Sequence, residues 1–480
     1  MEKPKIQEVI VVEGRYDKNT LLQVVDASVL ELGGFGIFND REKTTLLRRL
    51  AETRGIILFT DPDGAGFVIR NRLKEAIPTG RVLHAYVPDV YGKEKRKRKA
   101  GKEGKLGVEG KKGTLGCPYA NRDYRAVNPA YGTMEDFEAL VREIHAHGMK
   151  CMIDVVYNHT SPDSVLYRED PEYFYRGPDG KPGNKLGDWA DVIDLDYSNR
   201  GLWQYLTDTL VMWAGLVDGF RCDVASFVPV EFWLQARAAV AAVNPDCVWL
   251  AETVHRSYGC LARRHGVYSA SDGEVFRAFD LEYEYDVREV FDRYLRGEVP
   301  LSRYLDALNF QETCYPANYN KLRFLKNHDQ PRIASLVRDE RALVNDTAML
   351  YFLKGTTLLY AGQEFENDHL PSLFDLDPID RRTGHDLSGL LRRLYAVKQQ
   401  LGSADWFFAD ADDANDLALL QRGSAGKRFV GVFSLKAKAA DVRVDAADGV
   451  YENLIDRSAV TVESGVLHCA GEPVILRAEG

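Results

Sequence analysis

Apolar and polar positions follow four different patterns along the chain, and each predicts a different kind of unit. In the first, short β-branched runs alternate with helical spacing. Residues 8–14 (EVIVVEG), 28–34 (SVLELGG), 55–66 (GIILFTDPDGAG) and 81–87 read as strands; 17–25, 41–53 and 65–76 read as helices. Such alternation predicts a parallel sheet, with ligands at the carboxyl ends of its strands. The second stretch, 91–112, has no apolar period. In the third, helices are predicted over 134–147, 201–215 and 231–243, and strands over 149–157, 218–223, 248–252, 279–283, 322–327 and 356–360. The repeated strand–helix order predicts a (β/α) barrel with its site at the carboxyl strand ends. In the fourth, short β-patterned runs at 417–421, 429–434, 442–444, 459–461 and 473–476 predict a small antiparallel sandwich. The expected fold class is thus α/β throughout 1–401, closed by a β-sandwich over 402–480.

Charge sharpens these boundaries. The net charge of −10 conceals a split: residues 1–112 hold 23 Lys+Arg and 16 Asp+Glu (+7), and the remainder holds 39 and 56 (−17). A basic head on an acidic body suggests an anionic partner for the head alone, or a single solvated loop. Most of the excess sits in 91–112 (YGKEKRKRKAGKEGKLGVEGKK), which reads as a linker after a first domain at 1–90. Apolar content of 45% is enough for large cores, and no run is long and apolar enough for a membrane span. The N-terminus shows no apolar signal region. Seven scattered cysteines without Cys-x-x-Cys spacing read as reduced thiols of a cytoplasmic protein with no zinc site.

Candidate chemistry follows from the strand ends. In the first unit Glu13, Asp61 and Asp63 end strands without counter-charges, which suits a hard cation such as Mg²⁺. Glycines at 14, 34, 64 and 66 would admit a phosphate backbone, although Asp-Pro-Asp-Gly taken alone reads as a turn. In the third unit Asp223, Glu252 and Asp329 each end an apolar run. A retaining glycosidase needs one ionised carboxylate and one protonated acid about 5–5.5 Å apart. Arg221, two residues before Asp223 on the same strand face, should keep that carboxylate ionised. Glu252 follows Val-Trp-Leu-Ala, and this drier setting should raise its pKa. His159, His328 and Asp329 are placed to bind sugar hydroxyls.

Two resemblances add to this reading. The first, over roughly 1–112, rests on Glu13-Gly14, Gly33-Gly34 and Asp61-x-Asp63, in the wording VVEG…LFTDPDGAG…AYVP. It resembles the Toprim domain, most closely the Toprim ribonuclease that matures 5S ribosomal RNA. The resemblance implies Glu13 as acid/base, Mg²⁺ on Asp61 and Asp63, and a structured rRNA precursor as partner. The family's second, RNA-contacting portion does not follow the Gly-Val-Glu at 107–109.

The second, over about 113–480, rests on DVVYNHT (154–160), GFRCDVA (219–225), AETVH (251–255) and FLKNHDQPR (324–332). In order, they resemble the four signature regions of the α-amylase family, glycoside hydrolase family 13. The resemblance implies Asp223 as nucleophile, Glu252 as acid/base and Asp329 as transition-state stabiliser. It makes His159, Arg221 and His328 subsite contacts, Tyr119 a sugar-stacking ring, and 160–195 a loop domain inserted into the 113–401 barrel. The expected substrate is an α-glucan, hydrolysed or transferred through a covalent glycosyl-enzyme. Asn158 matches a calcium ligand of the family, but the matching His is replaced by Ser226-Phe227. The family's first two barrel strands would precede Tyr119, where the Toprim-like unit stands instead. The barrel is therefore expected to be an incomplete (β/α)8 barrel. Both resemblances break off at the same junction, so Mg²⁺-dependent endoribonuclease activity and fused fragments of little activity stand as alternatives.

Overall fold

The computed structural model describes residues 3–12, 18, 21–22, 25–32, 41–60, 73, 76–77, 79–86, 117–186 and 191–478. Glu13, Gly14, Gly33, Gly34, Asp61, Asp63, Gly64, Gly66 and the basic stretch 91–112 lie outside the described residues.

Near the N-terminus, β1 (Val9–Val12), β2 (Val29–Glu31), β3 (Ile56–Thr60) and β4 (Val82–Tyr86) form a parallel sheet in the order β2-β1-β3-β4. β-Branched and aliphatic residues fill both faces of β1, whose four residues are all buried, as a parallel strand requires. The helix Arg41–Thr53 lays Leu47 and Ala51 on Val9, Val11, Ile56 and Leu58. Strand order reverses between β1 and β3, whose ends Val12 and Phe59 lie in register.

The central unit holds six parallel strands: β5 (Met152–Val155), then β8 (Gly219–Cys222), β9 (Val248–Ala251), β10 (Leu281–Tyr283), β11 (Lys321–Arg323) and β12 (Thr356–Thr357). They pair consecutively in the order β12-β11-β10-β9-β8-β5. Among the described residues, β5 and β12 are the outer strands. The strands are shorter than their apolar runs because the chain leaves the ladder early to build the site. Between β5 and β8, the short strands β6 (His159–Thr160) and β7 (Ile193–Asp194) pair antiparallel across the predicted insertion. Helices cover the sheet with regular caps. Met134–Ala146 starts at a Thr133/Asp136 capping box, and Arg200–Ala214 starts at the Asn199 side chain. Trp233, Trp249, Phe220, Phe232 and Leu206 make the core beneath β8 and β9.

The C-terminal unit pairs two antiparallel sheets. β13 (Trp406–Asp412), β14 (Leu417–Ser424), β15 (Lys427–Ser434) and β20 (Val474–Ala478) form one; β16 (Ala440–Arg443), β17 (Gly449–Glu452), β18 (Ala459–Glu463) and β19 (Val466–Cys469) form the other, in the order β16-β19-β18-β17. Val430, Val432, Leu467, Val462 and Leu476 meet between the sheets. On the other side, Phe407, Phe429 and Phe433 join the core of helices Glu340–Phe352 and Ser388–Leu401. All seven cysteines are free thiols, and no described helix is long and apolar enough to cross a membrane.

Candidate active site

Strand pleating sets the first element of the site. Arg221 and Asp223 are two apart at the end of β8, so both side chains leave the same face. Arg221 Nη1 donates to Asp223 Oδ1 at 2.8 Å and to Asp154 Oδ1, from the end of β5, at 2.7 Å. Its Nη2 lies 2.7 Å from Glu252 Oε1, at the end of β9. One guanidinium therefore holds three carboxylates from three adjacent strands. Arg221, Asp223 and Glu252 are all buried. Between Asp223 and the helix that follows, Val224 takes a left-handed conformation (φ 38°), sparsely populated for a β-branched residue. That turn points its N–H at Glu252 Oε2, 3.0 Å away.

Burial dominates the electrostatics. It pushes Glu252 up to about 8, with the Asp223 charge adding to the rise, against the pull of Arg221 and the Val224 N–H. This agrees with the drier setting inferred from Val-Trp-Leu-Ala. For Asp223, burial works against the Arg221 expected to keep it ionised. Its pKa rises to about 6, because loss of solvent outweighs the favourable guanidinium. The order of the two groups survives: Asp223 ionises before Glu252.

The remaining predicted residues converge on the same strand ends. Tyr119 donates its hydroxyl to Asp154 Oδ2 at 3.1 Å and sits 2.7 Å from His328 Nε2. Its ring stacks on His328 at 5.5 Å and 12°. His159 is buried, which lowers its pKa. Its Nε2 faces the Tyr119 carbonyl at 3.1 Å, and a carbonyl only accepts, so this nitrogen carries the proton. Its Nδ1 then accepts from Asn158 Nδ2 at 3.1 Å. Asp329 is exposed, with Oδ2 3.4 Å from His328 Nε2 and its N–H bonded to Asn327 Oδ1. Its negative charge contributes to the raised pKa of Glu252, after burial and Asp223.

Two residues of the site escaped sequence reasoning. Asp154 lies within the DVVYNHT block, where only the later residues match sugar contacts and nothing local marks the first. Tyr283, at the end of β10, sits under Arg221 with 5.5 Å between guanidinium and ring centroid, and the Tyr119 ring lies 5.5 Å from the same group. A buried tyrosine after a short apolar run carries no local signal.

The calcium ion that the resemblance implies would be held by Asn158 and its neighbours, which offer it few oxygens among the described residues. Ca²⁺ takes six to eight oxygens. Asn158 meets His159 Nδ1 through Nδ2, so its Oδ1 is the atom that would face a cation; Asp194 Oδ2 accepts from the Lys185 N–H and leaves Oδ1 unpartnered, and the Leu195 carbonyl accepts from the Lys185 ammonium.

Comparison with known proteins bears on the same regions. A model of the α-amylase catalytic domain matches residues 114–190 and 187–372, and a model of the bacterial α-amylase C-terminal domain matches 408–476. An α-amylase structure from Lactobacillus plantarum superposes with a TM-score of 0.75 at 36% identity, covering 98% of this chain and 99% of that one. A noncanonic maltogenic α-amylase, AmyB, from Thermotoga neapolitana gives 0.67 at 28% identity, covering 88% and 98%. A cyclomaltodextrin glucanotransferase from Bacillus sp. (strain 1011) is 27% identical over 279 residues, 51% of this chain and 37% of that protein. The chain spans 37–61% of the length of the first curated relatives it matches.

Proposed function

Because the chain belongs to the α-amylase family, we propose that it is a retaining hydrolase or transglycosylase of α-glucans, with Asp223 as nucleophile and Glu252 as acid/base. One observation carries this reading. A single buried guanidinium, Arg221, holds Asp223 and Glu252 at adjacent strand ends with Asp223 the more acidic of the two. At neutral pH that gives one carboxylate and one carboxylic acid, the pair that retention needs. Asp223 attacks the anomeric carbon as Glu252 gives its proton to the leaving glycosidic oxygen. The glycosidic C–O bond breaks and an ester to Asp223 forms. Glu252, now ionised, takes a proton from water or a sugar hydroxyl, whose oxygen displaces Asp223. Asp329 stabilises the positive charge of the transition state, and Tyr119, His159, Arg221 and His328 line the sugar site. The names of the relatives, α-amylases and a cyclomaltodextrin glucanotransferase, favour an α-glucan. The test is reducing-sugar release from maltodextrin by the full chain beside Asp223→Asn. Release that Asp223→Asn abolishes supports the assignment. A folded chain that releases none removes it and leaves fused fragments of little activity.

The barrel is inferred to lack its first two strands, since eight are expected of the fold and six pair here among the described residues. A second reading concerns the N-terminal unit alone: a Mg²⁺-dependent ribonuclease of the Toprim kind. The parallel β2-β1-β3-β4 sheet favours it, with Glu13 and Asp61 following β1 and β3 in sequence. Its test is Mg²⁺-dependent cleavage of a 5S rRNA precursor, abolished by Glu13→Gln.

A further inference from the structure

Three side chains from three separate segments meet at the base of the loop that follows β12. Glu340 opens the helix Glu340–Phe352, Glu366 follows the turn Gln363–Phe365, and His385 precedes the helix Ser388–Leu401. Their carboxylate and imidazole atoms all lie within 4.8 Å of one another. His385 Nδ1 is 3.3 Å from Glu366 Oε2 and 3.5 Å from Glu340 Oε1. These separations are longer than a good N–H···O hydrogen bond. They match the edge of a tetrahedron around zinc instead: with Zn–N and Zn–O near 2.0–2.1 Å, neighbouring ligand atoms lie about 3.3–3.4 Å apart.

Burial and charge point the same way. The Glu366 side chain is only 10% exposed, and it accepts no hydrogen bond among the described residues. Neither glutamate pairs with a lysine or arginine among them. Burial and the Glu340 charge raise the Glu366 pKa, and His385 opposes that rise. A buried carboxylate without a donor needs a cation. One imidazolium balances a single carboxylate, whereas a divalent ion balances both.

We propose that Glu340, Glu366 and His385 Nδ1 bind a zinc ion, with water in the fourth position. Two carboxylates and an imidazole are a donor set that zinc takes, whereas calcium and magnesium favour oxygen alone. The ion clasps the loop at its base: residues 367–384, between two of the ligands, contain no helix or strand. That loop reaches the Asp329 segment, since Arg332 Nε donates to the His369 carbonyl at 3.1 Å. A metal clip across a long loop restricts its open states.

For the test, the full-length chain is stripped with a chelator, incubated with zinc chloride and freed of unbound metal by gel filtration. Zinc per chain is measured beside His385→Ala and Glu366→Gln. The wild type is expected to hold one zinc more than either variant, a comparison that discounts zinc on the seven free cysteines. If Glu366→Gln does not fold, His385→Ala decides, because that side chain is partly exposed. Trypsin reads the clasp, since Arg381 and Arg382 are exposed in the loop. Zinc at about ten times its dissociation constant is expected to slow cleavage there about tenfold in the wild type and not in His385→Ala. Equal zinc uptake by the wild type and His385→Ala would overturn the site, and wild-type cleavage indifferent to zinc would overturn the clasp.

Discussion

At the scale of single residues, the raised pKa values of the site predict a shape for the pH profile. The nucleophile must be ionised and the acid protonated. Activity should fall on the acid side as Asp223 protonates near pH 6 and on the alkaline side as Glu252 ionises near pH 8. The two groups share Arg221, so these limbs belong to the pair as much as to either residue. Initial rates on maltodextrin across this range give the profile. Glu252→Gln should lower the rate by about 10²–10⁴-fold and remove the alkaline limb. An alkaline limb that persists in that variant would assign it to another group. A second buried acid predicts a stability effect. Asp346 lies at 1% exposure on Glu340–Phe352, its Oδ1 lacks a hydrogen bond, and burial pushes its pKa up to about 7 despite Lys436. Its folded pKa lies above the unfolded one, so the native state gains stability as pH falls through about 7. Asp346→Asn should therefore raise the thermal midpoint by roughly 2–8 °C at pH above 7. The gain should shrink toward pH 5, and a gain that does not vary with pH would refute the assignment. The residues legible in the sequence were those whose chemistry is local: a charged group two positions from an acid, or an acid ending an apolar run. Tyr283 and the left-handed Val224 were not, because their roles arise from a neighbouring strand.

At the scale of elements, the separation of Asp223 from Glu252 is set by how closely β8 lies against β9. Gly219 at the start of β8 permits that approach. A Cβ there would lie 2.6 Å from the Val248 carbonyl oxygen of β9 and 2.9 Å from Met152 Cε of β5. The carbonyl belongs to the backbone ladder, so the strands themselves would have to part. Gly219→Ala should cost about 1–3 kcal/mol by overpacking. It should also reduce activity more than its stability loss explains, because both carboxylates ride on the displaced strands. Denaturant unfolding and maltodextrin rates together check this; unchanged values would mean that the strand pair yields freely. The six barrel strands were readable from the short apolar runs that contain or follow them. β13, β17 and β19 were not, for a physical reason. Trp406–Asp412 and Gly449–Glu452 mix exposed apolar residues with acids, and their strand form comes from antiparallel partners far along the chain. Burial also raises the Asp223 pKa against Arg221, and only the second of these was legible, since neighbouring charges are visible in sequence and solvent loss is not.

At the scale of the whole molecule, the described cores do not merge. The N-terminal core of Val9, Val11, Leu47, Ile56 and Leu58 shares no residue with the clusters built from Tyr124 onward. Two separately packed cores need not unfold together. Calorimetry should show the N-terminal unit melting apart from the rest, and a chain beginning at residue 113 should lose that transition alone. A single transition in the full chain would show the cores to be coupled. The outer strands of the barrel sheet carry a further consequence. Met149 and Met152 are exposed at and before β5, and Leu359 is exposed just after β12. Among the described residues neither strand has an outer partner; an apolar edge left open pairs with other chains, and a lysine on an edge strand blocks such pairing. The full chain should therefore associate as its concentration rises, and Met152→Lys should shift it toward monomer. Light scattering at increasing concentration distinguishes the outcomes. A wild type that stays monomeric would mean these edges are covered, and the barrel would then be closed by other parts of the chain.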